Sequence, residues 1–154
     1  MIGSWNRVTF RAVGGLTEVG FSADEQFLLV VSWQGRGLID TRSGEMVARD
    51  SEIPQATSTW LRRADRIVIG IGPVNGVPIK SVGLWGGSLP ARCGTEVVEM
   101  NPSGEEVLLR DESSGMNQIL QRTLTEVRAA GFSPSGDILV IATSADVEIF
   151  RRAG

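Results

Sequence analysis

Between Leu16 and Asp50, apolar and polar positions fall into four short segments separated by turns. Leu16-Thr17-Glu18-Val19-Gly20-Phe21 alternates apolar and polar side chains, as a half-buried strand does, and stops at the polar break Ser22-Ala23-Asp24-Glu25-Gln26. Phe27 to Val31 is continuously apolar, and a run that short and rich in branched side chains suits a strand covered on both faces. Gln34-Gly35 breaks it. Arg36 to Thr41 then predicts a third strand, Arg42-Ser43-Gly44 a turn, and Glu45 to Arg49 a fourth strand. The stretch therefore predicts one antiparallel four-stranded unit.

The long apolar strand recurs, with starts at Phe27, Ile67, Val107 and Ile138. The separations are 40, 40 and 31 residues, and recurrence of this kind marks a repeat architecture. Each start follows a polar turn, at Ser22 to Gln26, Arg62 to Arg66, Asn101 to Glu106 and Ser133 to Asp137. The segments ahead of three of these turns also echo one another: Leu16-Thr17-Glu18-Val19, Thr95-Glu96-Val97-Val98 and Leu124-Thr125-Glu126-Val127. In the second unit the expected strands are Thr57 to Leu61, Ile67 to Ile71, Val77 to Leu84 and Ser88 to Arg92. Asn75-Gly76 carries its hairpin signal for a type I′ turn, and Pro73 and Pro78 place that hairpin at an edge. The third unit offers Val107 to Asp111 and Met116 to Gln121 around Ser113-Ser114-Gly115. The last offers Val127 to Phe132, Ile138 to Ala142 and Val147 to Arg151, and lacks a fourth strand. Trp5 to Ala12 is an orphan strand, with Val8, Phe10 and Ala12 on one face. A circular array uses such a strand to complete the last unit and hide an open edge.

Phe132-Ser133-Pro134-Ser135-Gly136-Asp137-Ile138-Leu139-Val140-Ile141-Ala142, followed by Asp146-Val147-Glu148-Ile149-Phe150, resembles a repeat of the Trp-Asp (WD-repeat) β-propellers. Gly20 to Asp50 is similar, with Asp40 where the family's Asp ends the third strand. Ile39 and Phe150-Arg151 stand where the family has its signature Trp and Trp-Asp, and there is no His for its Gly-His. The resemblance implies an all-β, propeller-like array of about four blades, closed within one chain or shared between two, that works as a non-catalytic binding platform. Two other arrangements suit the same pattern. One is an up-and-down β-barrel around a small apolar ligand. The other places a helix over Gln118 to Ala130, where Leu120, Leu124 and Val127 fall at helical spacing.

At 154 residues the chain is the size of one domain, and its 19 glycines spread between short apolar runs favour the all-β reading. The net charge is −3 and the estimated pI about 5.0. Residues 1–77 carry eight basic and eight acidic side chains, and residues 78–154 seven and ten. A nucleic-acid binder shows a basic stripe and a high pI, so that class is disfavoured, and mild acidity fits a basic protein partner. Residues 1–7 have no apolar core of a secretory leader, no stretch is long enough to span a bilayer, and Cys93 is the single cysteine, so a cytoplasmic location is expected.

The absence of histidine removes Ser-His-Asp and Cys-His arrangements and any imidazole-based zinc site. The carboxylate pairs Asp24-Glu25, Glu105-Glu106 and Asp111-Glu112 read as solvated charges of turns and strand ends. Gly70-Ile71-Gly72-Pro73 and Gly83-Leu84-Trp85-Gly86-Gly87 lack the Lys-Ser/Thr ending of a phosphate loop, and Lys80-Ser81, as strand neighbours, diverge. No enzyme, metal or cofactor is expected. The residues suited to a binding face are Trp and loop Arg side chains, which join large apolar area to a polar handle. Trp33 ends a core strand beside Arg36; Trp85 lies in a Gly-rich connection near Arg92; Arg62, Arg63 and Arg66 surround one turn. The expected function is a protein-interaction module using one rim of loops, in its specific form an immunity-type protein that masks a toxin. A homodimer fits the shared-ring variant. Small-molecule or carbohydrate binding in a central pocket is the reading from another class.

Overall fold

The computed structural model describes residues 4–122 and 125–153. Outside the second unit its strands follow the predicted segments closely. β1 (Trp5–Ala12) is followed by β2 (Leu16–Phe21), β3 (Phe27–Ser32), β4 (Gly35–Asp40) and β5 (Met46–Asp50). Next come β6 (Leu61–Arg62), β7 (Ile67–Ile69), β8 (Pro78–Lys80) and β9 (Val82–Gly83). The third group is β10 (Arg92–Cys93), β11 (Glu96–Met100), β12 (Glu106–Asp111) and β13 (Met116–Arg122), and the last is β14 (Val127–Phe132), β15 (Ile138–Thr143) and β16 (Asp146–Arg152). They form four antiparallel sheets: β2 to β5 with β9, β6 to β8, β10 to β13, and β14 to β16 with β1. The chain is all-β and propeller-like, and among the described residues no sheet closes into a barrel.

The orphan strand completes the last sheet. β1 pairs with β16 from Trp5↔Arg152 to Ala12↔Asp146, and covers an edge that would otherwise be open. Trp5 is fully buried at this seam, with its ring centroid 5.8 Å from that of Phe132 and its indole N–H donating to Glu96 at 3.0 Å. It thereby fastens the fourth sheet to the third.

Three apolar clusters join the sheets: first with fourth around Val19, Leu28 and Val140; fourth with third around Trp5, Leu109 and Phe132; first with second around Leu29, Trp60 and Val68. Among the described residues no cluster joins the second sheet to the third. The outward face of each is charged: Arg62 and Lys80 on the second, and the ion pairs Arg92–Glu112 and Arg110–Glu99 on the third. The array is thus an arc running third, fourth, first, second, with solvated end faces.

The connection between the second and third sheets explains the arc. β9 lies on the inner edge of β2 (Glu18↔Gly83, Val19↔Val82), the Phe132 N–H donates to the Pro90 carbonyl at 2.8 Å, and the Val98 N–H to Ala91 at 2.8 Å. Residues 82–93 therefore run along the inner edges of the first, fourth and third sheets and fill the axis where a propeller would have a channel. Because this segment crosses the molecule before β11 begins, the third sheet enters in the opposite sense. Glu96, at the start of β11, bonds Trp5 and Arg152. Met100, at its end, meets Val127 at the start of β14 around one cleft. β2 and β14 instead run side by side in the same sense, with Arg128 donating to the Leu16 carbonyl at one end and Ser135 to Glu25 at the other.

Gly83 marks how closely the axial segment approaches. Its φ is +151°, and a methyl group there would collide with the Thr17 carbonyl and touch the Glu18 carboxyl. Gly83→Ala is expected to destabilise the fold by about 2 kcal/mol or more, through strained backbone and a lost approach. Chemical denaturation measures the loss, and limited proteolysis should cut first between residues 84 and 91.

Four expectations change. β2 is buried along nearly its whole length rather than half-buried, because β9 and the neighbouring sheets cover it. The helix over 118–130 is absent where the chain is described: β13 reaches Arg122 and β14 starts at Val127, while Leu124 lies outside the described residues. Cross-strand pairing with β12 and β15 wins over the helical spacing. Asn75-Gly76 does not form a type I′ turn; Asn75 is extended (φ −54°, ψ 130°) and only Gly76 has positive φ, because a 3-10 turn at Gly72–Val74 precedes it and lengthens the loop. In the second unit only Leu61–Arg62, Ile67–Ile69, Pro78–Lys80 and Val82–Gly83 are strands, and the last of these leaves its own sheet for β2.

Candidate functional site

β3 ends at Ser32, and the tight turn into β4 projects Trp33 from the rim of the first sheet. Its N–H donates to the Gly15 carbonyl at 3.1 Å, and the indole remains 47% exposed. The axial segment brings Trp85 to the same place. The two rings stand edge to face, with centroids 6.3 Å apart. Arg63, in the 3-10 turn Arg63–Asp65, lays its guanidinium over the Trp85 ring at 4.4 Å from the centroid. Indole faces attract such cations, so Arg63 and Trp85 hold each other in place. Three of the six sequence candidates, from three different stretches of chain, therefore meet. Arg62 is next to them, exposed and 3.7 Å from Asp65.

The other two lie elsewhere. Arg36 is an internal strut, paired with Asp50, donating to the Ile69 carbonyl at 2.7 Å and lying 4.3 Å over the Trp60 ring. Arg92 has been carried to the third sheet by the axial segment, where it pairs with Glu112.

Glu18 was not singled out by its sequence context, since a glutamate in an alternating strand reads as a solvent-facing side chain. It is fully buried under the Trp85 loop. Its Oε1 accepts the Trp85 N–H at 2.9 Å, while Oε2 has no hydrogen-bond partner. Burial pushes the carboxyl up to about 7, with the Trp85 N–H and the Arg128 charge pulling back against it. Arg128 is committed to the Leu16 carbonyl at 3.0 Å and to Glu126 at 3.3 Å. Glu18 therefore seats the platform without closing an ion pair of its own. The buried Arg66 Nε is also without a partner, packed against Gly87.

Beside the axial segment, a cleft of about 280 Å³ between β11 and β14 is lined mainly by aliphatic groups, including Leu89, Val98, Met100 and Val127, and by no tryptophan. Cys93 is half-buried, 3.8 Å from the Arg152 guanidinium. Among the described residues no cluster of His, Cys, Asp or Glu is arranged to hold a metal ion, and no helix is long and apolar enough to cross a membrane.

No family model and no curated protein matches the sequence. Among solved structures, the chain is similar to the β-propeller domain of Cps50 (Swd1) from Myceliophteria thermophila, at 14% identity and a TM-score of 0.32. The match covers 92% of this chain and 51% of that one, so the chain spans about half the length of that domain.

Proposed function

We propose that the protein is a non-catalytic protein-interaction module that docks a partner on the platform formed by Trp33, Trp85 and Arg63. The observation that supports this reading is their convergence. A half-exposed indole, a second indole and a stacked arginine are drawn from the β3–β4 turn, the axial segment and the 3-10 turn onto one rim of a rigid β scaffold. Aromatic and arginine side chains held by neighbours are the usual anchors of protein interfaces, because little further ordering is needed when a partner arrives. In its specific form the module is an immunity-type protein that covers a toxin or similar partner; small size and a binding surface free of catalytic groups support that form.

Photocrosslinking tests the reading. A photoreactive amino acid replacing Trp33 is expected to trap a defined partner band in native cells. The same residue replacing Phe10, which is 51% exposed on the outer edge strand of the fourth sheet, is expected not to trap it. Identical bands from both positions, or none from Trp33, would reject the platform as the docking surface.

A further inference from the structure

Resting on the platform reading, we infer that the partner segment it receives is acidic: a carboxylate-bearing stretch of protein that sets Glu or Asp against Arg63 and Arg66 and an apolar side chain against Trp33. The chain as a whole carries a net charge of −3, yet the segments framing Trp85 reverse that sign. Residues 61–66 and 80–87 hold Arg62, Arg63, Arg66 and Lys80 against Asp65 alone. Asp65 is already engaged, its carboxylate with Arg62 and its carbonyl with the Lys80 ammonium at 2.9 Å. Seven arginines elsewhere, among them Arg7, Arg110 and Arg152, close ion pairs with neighbouring carboxylates. Arg63 and Arg66 close none among the described residues. Arg11, Arg42, Arg49 and Arg151 likewise close no ion pair among the described residues, but Arg63 and Arg66 are the two that lie against the Trp85 segment, where the Arg66 Nε is a buried donor without an acceptor.

A guanidinium presents a planar fork of donors that matches a carboxylate, and its strength rises where an indole wall excludes water from one side. Phosphate would fit the same fork. An acidic chain with a patch this small nevertheless lacks the extended basic track a nucleic-acid backbone requires, so the carboxylate is favoured. The edge-to-face indole pair adds an apolar wall, which gives an acidic segment carrying a Leu or Phe more purchase than a purely charged one.

The test uses the full chain and a defined probe, a short synthetic peptide of alternating Glu and Leu, followed by tryptophan fluorescence. Saturable binding is expected, weakening as salt is raised and falling about tenfold or more in Arg63→Glu. Arg110→Glu, a charge reversal on the third sheet, should leave the affinity unchanged. Equal binding of the Lys/Leu counterpart, tighter binding of a single-stranded oligonucleotide, or an Arg63→Glu affinity equal to that of the unmodified protein would each overturn the inference. If the Glu/Leu peptide fails while crosslinking through Trp33 persists, the acidic chemistry is wrong and the docking surface stands. If Trp33 crosslinking is lost as well, both fall.

Discussion

Trp5→Ala is expected to lower the unfolding free energy by about 4 kcal/mol, with a fall in Tm on the order of 10 °C for a domain of this size. Trp5 is fully buried between the fourth and third sheets, its indole N–H bonds Glu96, and Arg152 lies over its ring at 4.3 Å. Alanine empties the largest side chain of that cluster. It also leaves the Glu96 carboxylate with one donor fewer, although Arg152 still reaches it at 2.7 Å. Trp5→Phe retains most of the packing and loses the N–H donor, so it should cost about 1–2 kcal/mol. Paired denaturation curves of the two variants separate packing from hydrogen bonding. A Trp5→Ala protein within about 1 kcal/mol of the unmodified one would mean that the β1 and β16 seam does not carry the fold.

Glu18→Gln is expected to have unequal consequences at two pH values: a gain of less than about 1 kcal/mol at pH 5, and a gain of about 3 kcal/mol at pH 8. The folded carboxyl titrates near 7 and the unfolded one near the ordinary 4.5. Between those values the folded state holds the extra proton, so the favourable contribution of neutral Glu18 is present below the unfolded pKa and is lost as pH rises through 7. Above it, the folded protein must bury a carboxylate whose Oε2 has no partner, and 2.5 pH units correspond to roughly 3.4 kcal/mol. Glutamine removes that titration. Comparing variant with unmodified protein at each pH isolates it from other groups, including Glu148, whose carboxyl is also raised by burial against the pull of Arg7. A difference that stays constant from pH 5 to pH 8 would show that Glu18 is charged and solvated in the folded state.

The strands were legible because their signals are local. Alternation or apolar runs, bounded by polar or Gly-containing turns, placed β3, β12 and β15 within a residue or two, and the orphan Trp5 to Ala12 segment found its partner in β16 as expected. Orientation was not legible. Three Thr-Glu-Val triplets look like copies of one blade, yet Glu18 is buried beneath Trp85, Glu96 binds Trp5 and Arg152, and Glu126 is exposed beside Arg128. Glu96 differs because the axial segment turns the third sheet over, and Glu18 because the same segment covers it, and a repeat period carries no information about either. The same segment explains the site. Trp33 and Arg63 could be nominated by residue type, but their meeting with Trp85 depends on where a Gly-rich connection travels. Glu18 gave no signal, since its burial comes from β9, a strand of only two residues borrowed from another sheet.

The platform exists only if the axial path sets Trp85 against Trp33. Nuclear Overhauser contacts among the four tryptophan indoles, in protein labelled selectively at tryptophan, measure it directly. Cross-peaks are predicted between Trp33 and Trp85, and from the Arg63 side chain to the Trp85 ring, with none joining Trp5 to Trp33. An isolated Trp85 indole, or one in contact with Trp5, would contradict the path and dissolve the platform with it.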